Sequence, residues 1–159
     1  MLLYVVTCLL SDHVDNLIAS AGQTLYALKT LKSHGMSLAA LTDVCRATLV
    51  SKLTYAASAW YGFASEADIS RLQSVLKKAS RWGVWGDSSL QLLILYEDAD
   101  SSLFNSILNN SSHVLHPLLP PKKVSGYQLR DRPHDRILSQ QTFWARRNFV
   151  TRNLFKDMY

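Results

Sequence analysis

The chain has 159 residues, 48% of them hydrophobic and 18% charged, values close to those of ordinary globular domains. A chain of this length can bury roughly 68–70% of its unfolded surface, so a real core is available, and the composition excludes a collagen-like, disulfide-scaffold or wholly disordered protein. Charge is uneven: residues 1–121 hold eight Lys or Arg against nine Asp or Glu, residues 122–159 hold nine against three, and the formal net charge of +5 therefore sits in the last quarter.

Residues 1–10, MLLYVVTCLL, are apolar but too few to span a bilayer, and they lack the basic flank and small-residue cleavage site of a secretory signal. They read as a buried strand or the start of a helix. Apolar residues then recur at Val14, Leu17, Ile18, Ala21, Leu25, Leu28 and Leu31, the spacing of one helix face, which predicts a helix from about 12 to 33 with Ser11 as N-cap and Gly35 beyond its end. Ser37 can cap a second helix, with Met36 stapled onto Leu41 and an apolar face running from Leu38 through Leu53 to Trp60. Ser65 to Asp68 has the form of a capping box, and Ile69, Leu72, Val75, Leu76, Ala79 and Trp82 give the inner stripe of a third helix ending at Gly83.

Residues 88–120 predict one or two further helices broken near Asn109-Asn110, with a short helical turn at Val114 and Leu115. The tandem Pro120-Pro121 cannot continue a helix and marks the expected domain boundary. Beyond it, Phe143, Arg147, Val150, Leu154 and Met158 suggest a last amphipathic helix. The expected fold class is mainly α: packed antiparallel helices over 11–121, then a basic, partly irregular extension over 122–159 ending in a helix.

Catalytic and metal motifs fail on spacing. Cys8 and Cys45 form no CxxC pair and no zinc-finger cluster, which favours a reducing, intracellular setting. His13 and Asp15 match HxD, but residues two apart on a helix point about 200° apart and cannot share one metal. His113 and His116 have an acceptable spacing but no third ligand, and a packed or capping pair is the better account. Ser74 to Lys77 has the form SxxK without the partner motifs of an acyl-transfer enzyme. There is no phosphate-cradling glycine loop.

The basic residues remain. Arg71, Lys77, Lys78 and Arg81 line the outer face of the third helix. Lys122, Lys123, Arg130, Arg132, Arg136, Arg146, Arg147 and Arg152 stud the tail, interleaved with Tyr127, Phe143, Trp144 and Phe149. Clustered Lys and Arg are an electrostatic footprint for phosphate backbones, and the aromatics either stack on unpaired bases or bury against the core, with burial favoured.

Five segments carry a resemblance: LYALKTLKSHGM (25–36), SKLTYAASAWYGFAS (51–65), LFNSILNNSSHVLHPLLPP (103–121), YQLRDRPHDR (127–136) and NFVTRNLFKDMY (148–159). In that order they resemble the region downstream of the polymerase palm in jockey- and CR1-like non-LTR retrotransposon reverse transcriptases. The resemblance implies a helical thumb and a C-terminal extension that grip template and primer. In that family the catalytic aspartates lie in a [FY]ADD turn of the palm and hold the Mg²⁺ ions of a two-metal mechanism. This chain has no such turn, so no catalytic residue, metal or cofactor carries over to it. Expected partners are an RNA/DNA hybrid or the element RNA, together with a palm and fingers supplied by a full-length protein, and no membrane. The location implied is nuclear if the family is followed and cytoplasmic otherwise. Residues 1–10 depart from the strand that usually leads out of the palm, as a truncated or restarted reading frame would. The two alternatives are a helical protein-interaction module and an inert relic.

Overall fold

The computed structural model describes residues 2–85, 91–122, 134–138, 142 and 144–156, with side chains from residue 10 onward. It is mainly α-helical, and among the described residues the only β feature is one antiparallel bridge between Lys122 and Arg136. The chain forms two compact units, 1–96 and 97–159. The expected division at 121/122 thus falls inside the second unit. The reason is that Leu119, before the prolines, and Leu154, after them, share one core with Phe104 and Ile107.

In the first unit, α1 spans Leu2–Ser33. The expected start near residue 12 is corrected: no Gly or Pro separates residues 2–10 from residues 11–33, and Ser11 costs a helix interior little, so the helix runs straight through it. Val14, Ala21, Leu25 and Leu28 are buried as the spacing predicted. Gly35 closes α1 with φ 89°, its N–H bonding to the Lys32 carbonyl and the Met36 N–H to that of Leu31, a Schellman arrangement.

The return path is more broken than its apolar pattern suggests. α2 (Leu38–Cys45), capped by Ser37 Oγ, gives way to a π turn at Arg46–Val50 and then to α3 (Ser51–Thr54). Leu41, Cys45, Leu49, Leu53 and Ala57 are all buried and lie four apart. On a regular helix each such step drifts about 40° around the axis, and the wider π turn takes up that drift so that Leu41 to Leu53 keep facing the core. The helix expected to reach Trp60 instead breaks at Ala56, whose φ is 49°, and resumes as α4 (Ala57–Trp60). Carbonyls at the break find side-chain donors: Trp60 Nε1 bonds to Tyr55 O at 3.2 Å and Tyr96 Oη to Leu53 O at 3.0 Å.

α5 (Glu66–Arg81) begins with the expected capping box, both of its bonds present, and buries Leu72, Val75, Leu76 and Ala79. Gly83, at φ 63°, ends it in a second Schellman arrangement, with Gly83 N to Ser80 O and Val84 N to Ala79 O. Lys52 of α3 reaches Ser20 and Thr24 of α1, and Trp60 of α4 meets His13 nearer the start of α1, so the middle segment runs antiparallel to α1. Asp15 lies beside Arg71, and Lys32 beside Trp82. Residue order therefore rises together in α1 and α5: these two helices are parallel, and their C-terminal ends lie side by side.

α6 (Leu92–Asn109) has Leu92 and Tyr96 in the first core and Phe104 and Ile107 in the second. It ends at Asn109-Asn110, where a break was expected. After it come turns around Val114 and Leu115, a 3₁₀ turn at His116–Leu118, another at Ala145–Arg147, and α7 (Phe149–Phe155). The expected last helix is shortened because Asn148 takes an extended conformation and caps Val150 through its side chain. Phe143 and Met158, the ends of that pattern, lie outside the described residues.

Candidate nucleic-acid interface

The basic residues singled out by sequence divide between the two units and differ sharply in what they touch. In the first unit, Arg71 is exposed but committed: Asp15 of α1 and Asp68 of α5 both contact its guanidinium. The hydrogen bond and charge of Asp15 hold the Arg71 pKa above its ordinary value. Lys77, Lys78 and Arg81 are exposed, and no described carboxylate pairs with them.

The parallel packing of α1 and α5 brings two more cations to the same place, Lys29 and Lys32, which the sequence reading passed over. Lys29 Nζ lies 5.1 Å and Lys78 Nζ 4.7 Å from the ring centroid of Trp82. Lys32 Nζ donates to the Trp82 carbonyl at 2.9 Å. The helix ends themselves call for some of this charge, since each C-terminus carries roughly half a negative charge. Five cations exceed what two such ends neutralise, and the surplus faces outward. The signal was legible in principle: Lys29 and Lys32 are three apart, in the last turns before Gly35.

In the second unit the described tail residues are largely occupied. Arg152 donates to Asp100 from Nε and Nη2 and to the Arg147 carbonyl from Nη1. Asn153 Nδ2 also donates to Asp100. Arg136 is buried, donating to the Pro120 carbonyl at 3.1 Å, with His116 Nε2 3.4 Å from Nη2. These two guanidiniums were expected to face phosphates. They face the protein, because the fold supplies acceptors 16 to 52 residues away in sequence.

Lys122 is exposed and pairs with Asp135 at 3.0 Å, which lowers the Asp135 pKa. Arg146 lies over Phe155 and Arg147 over Trp144, at 5.8 and 5.2 Å. Of the tail aromatics expected to bury, Phe149 packs against Phe104, whereas Trp144 is 37% exposed. Lys123, Arg130, Arg132 and Tyr127 lie outside the described residues.

The histidines take local partners. His13 lies edge-on to Trp60, while Asp15 of the same HxD turns to Arg71. His113 Nδ1 accepts from the Leu115 N–H, and His134 is buried between the Leu154 carbonyl and the Arg136 N–H. Among the described residues no cluster of three His, Cys, Asp or Glu is placed to hold a metal, and no helix is long and apolar enough to cross a membrane. No protein-family model, curated protein or solved structure matches the chain.

Proposed function

We propose that the chain corresponds to the thumb and C-terminal extension of a non-LTR retrotransposon reverse transcriptase and binds template–primer nucleic acid without catalysing its synthesis. The reading draws on the five ordered segments that resemble that family and on a mainly helical fold. One observation carries it: three cations from two parallel helices, Lys29, Lys32 and Lys78, meet at Trp82, Arg81 lies in the same last turn of α5 and Lys77 just before it, and no described carboxylate is paired with any of the five. Surplus positive charge at one place is what a polyphosphate backbone requires. On this reading the Mg²⁺ chemistry of the family belongs to a palm outside this chain, and a nuclear location follows the family.

Fluorescence anisotropy tests it, with an RNA/DNA hybrid, a DNA duplex and a single strand titrated from about 50 to 200 mM salt. Binding that falls steeply with salt, and falls further for Lys78→Gln with Arg81→Gln, is the expected result. A folded chain that binds none of the three sinks the reading.

A helical protein-interaction module is the second reading, favoured by Tyr55, Leu93 and Ile94, which are 79%, 43% and 50% exposed. An apolar interface of that kind would be nearly insensitive to salt over the same range.

A further inference from the structure

Trp82 sits where the ends of α1 and α5 meet. Its indole is half-buried and packs in part against the first core. Lys29 and Lys78 place their ammonium groups within about 5 Å of the ring centroid, so the two charges are at most about 10 Å apart. Lys32 holds the residue's carbonyl, and Arg81 is the neighbouring exposed residue. Two ammonium groups thus lie over one aromatic ring, and a third holds that residue's backbone.

We propose that this cluster is a site for a single strand of nucleic acid, in which Lys29, Lys32, Lys78 and Arg81 take successive phosphates and the Trp82 indole stacks one base. The proposal rests on the nucleic-acid reading above and deepens it: it adds α1 to the interface and names the form of nucleic acid. A duplex keeps its bases stacked on one another and offers only phosphates, so against it the exposed part of the ring adds nothing to what the cations supply. An unpaired strand offers both groups, and sites for such strands combine cations with stacking platforms.

The lysines over the ring do not oppose this. A cation held over a half-buried ring at the surface is held weakly, whereas phosphate offers an ammonium group a charge-assisted hydrogen bond. Phosphates drawing Lys29 and Lys78 aside uncover the ring for a base. The Gly83 turn fixes the geometry, because its Schellman bonds position the chain immediately after Trp82.

The test is anisotropy of the full chain with a labelled single-stranded RNA and a blunt duplex of equal length, across about 50 to 200 mM salt. The variants are Trp82→Ala, Trp82→Phe and the pair Lys29→Gln with Lys78→Gln, each checked for fold by circular dichroism. We expect Trp82→Ala to weaken single-strand binding about tenfold or more, Trp82→Phe to retain most of it, and duplex binding to change little. The lysine pair is expected to flatten the single-strand salt slope by about 1.4, at about 0.7 per phosphate contact. Should Trp82→Ala prove unfolded, Trp82→Phe and the lysine pair decide. An unchanged slope in the lysine pair, or equal losses on strand and duplex in the tryptophan variants, overturns the site while leaving the broader reading standing. Absence of salt-dependent binding by the folded wild type removes both.

Discussion

Arg152 of α7 reaches the carboxylate of Asp100 of α6 with two nitrogens, Nη2 at 2.6 Å and Nε at 2.9 Å, both onto Oδ2, and the Asp100 side chain is only 3% exposed. A buried carboxylate without its cation is costly, since desolvation is no longer offset by pairing. Arg152→Ala is therefore expected to destabilise the second unit by about 2–4 kcal/mol, somewhat below the full cost of breaking a buried pair because Arg152 itself is 20% exposed. Urea denaturation followed by near-ultraviolet circular dichroism reads it. A variant as stable as wild type but weaker in nucleic-acid binding would show that Arg152 serves a ligand instead of the fold.

Two backbone positions with positive φ invite opposite substitutions. Gly83, at φ 63°, is followed by a buried Val84, and a Cβ there would come 2.4 Å from Lys32 Nζ. Gly83→Ala is expected to cost about 1–2 kcal/mol and to displace Lys32 from the Trp82 carbonyl. Ala56 holds φ 49° with a Cβ in place, so Ala56→Gly is expected to be stabilising by about 0.5–1 kcal/mol despite the added freedom of the unfolded chain. A melting temperature that drops on Ala56→Gly refutes the strain at that break.

Tyr96 joins α6 to the end of α3 through its hydroxyl and packs against Trp60 and Tyr61 with its ring. Tyr96→Phe keeps the ring and deletes the donor to the Leu53 carbonyl. The expected cost is about 1–2 kcal/mol, that of a buried acceptor losing its partner. A larger cost, close to that of a cavity, would mean the ring had moved.

Stability should fall in alkali. Burial pushes the Cys45 thiol up to about 11 from 9.0 and raises the Tyr96 phenol in the same direction. Each group favours its neutral form more strongly in the folded chain, so the unfolded chain loses its protons first. The stabilisation is fully present below about pH 9 and is lost as pH rises from there through about 11. Melting temperatures measured from pH 8 to 11 should decline, and Cys45→Ala should flatten part of that decline. A flat profile in the wild type would show both groups to be solvated.

Periodicity, caps and stops made much of the first unit legible. The stripe from Val14 to Leu28, the Ser37 cap, the capping box at Ser65 and Asp68, and the glycines at 35 and 83 are local features, and local chemistry decides them. The start of α1 was missed because Ser11, a favoured N-cap residue, is also tolerated inside a helix at small cost. The break at Ala56 was missed because alanine gives no warning of a left-handed backbone. That break depends on Trp60 and Tyr96 supplying donors, and Tyr96 is 40 residues further along the chain.

The sequence by itself determined the helical class, the principal core stripes and the surplus of positive charge, since these follow from residue type and spacing. Only the tertiary structure decided which of those charges are available. Hydrogen-bond partners distant along the chain buried Arg136 and engaged Arg152 and Arg71, while the parallel packing of α1 and α5 carried Lys29 and Lys32 to Trp82. The physical reason is range: helix formation is settled within a few residues, whereas the solvation of a charge depends on whatever the rest of the chain brings within 4 Å of it.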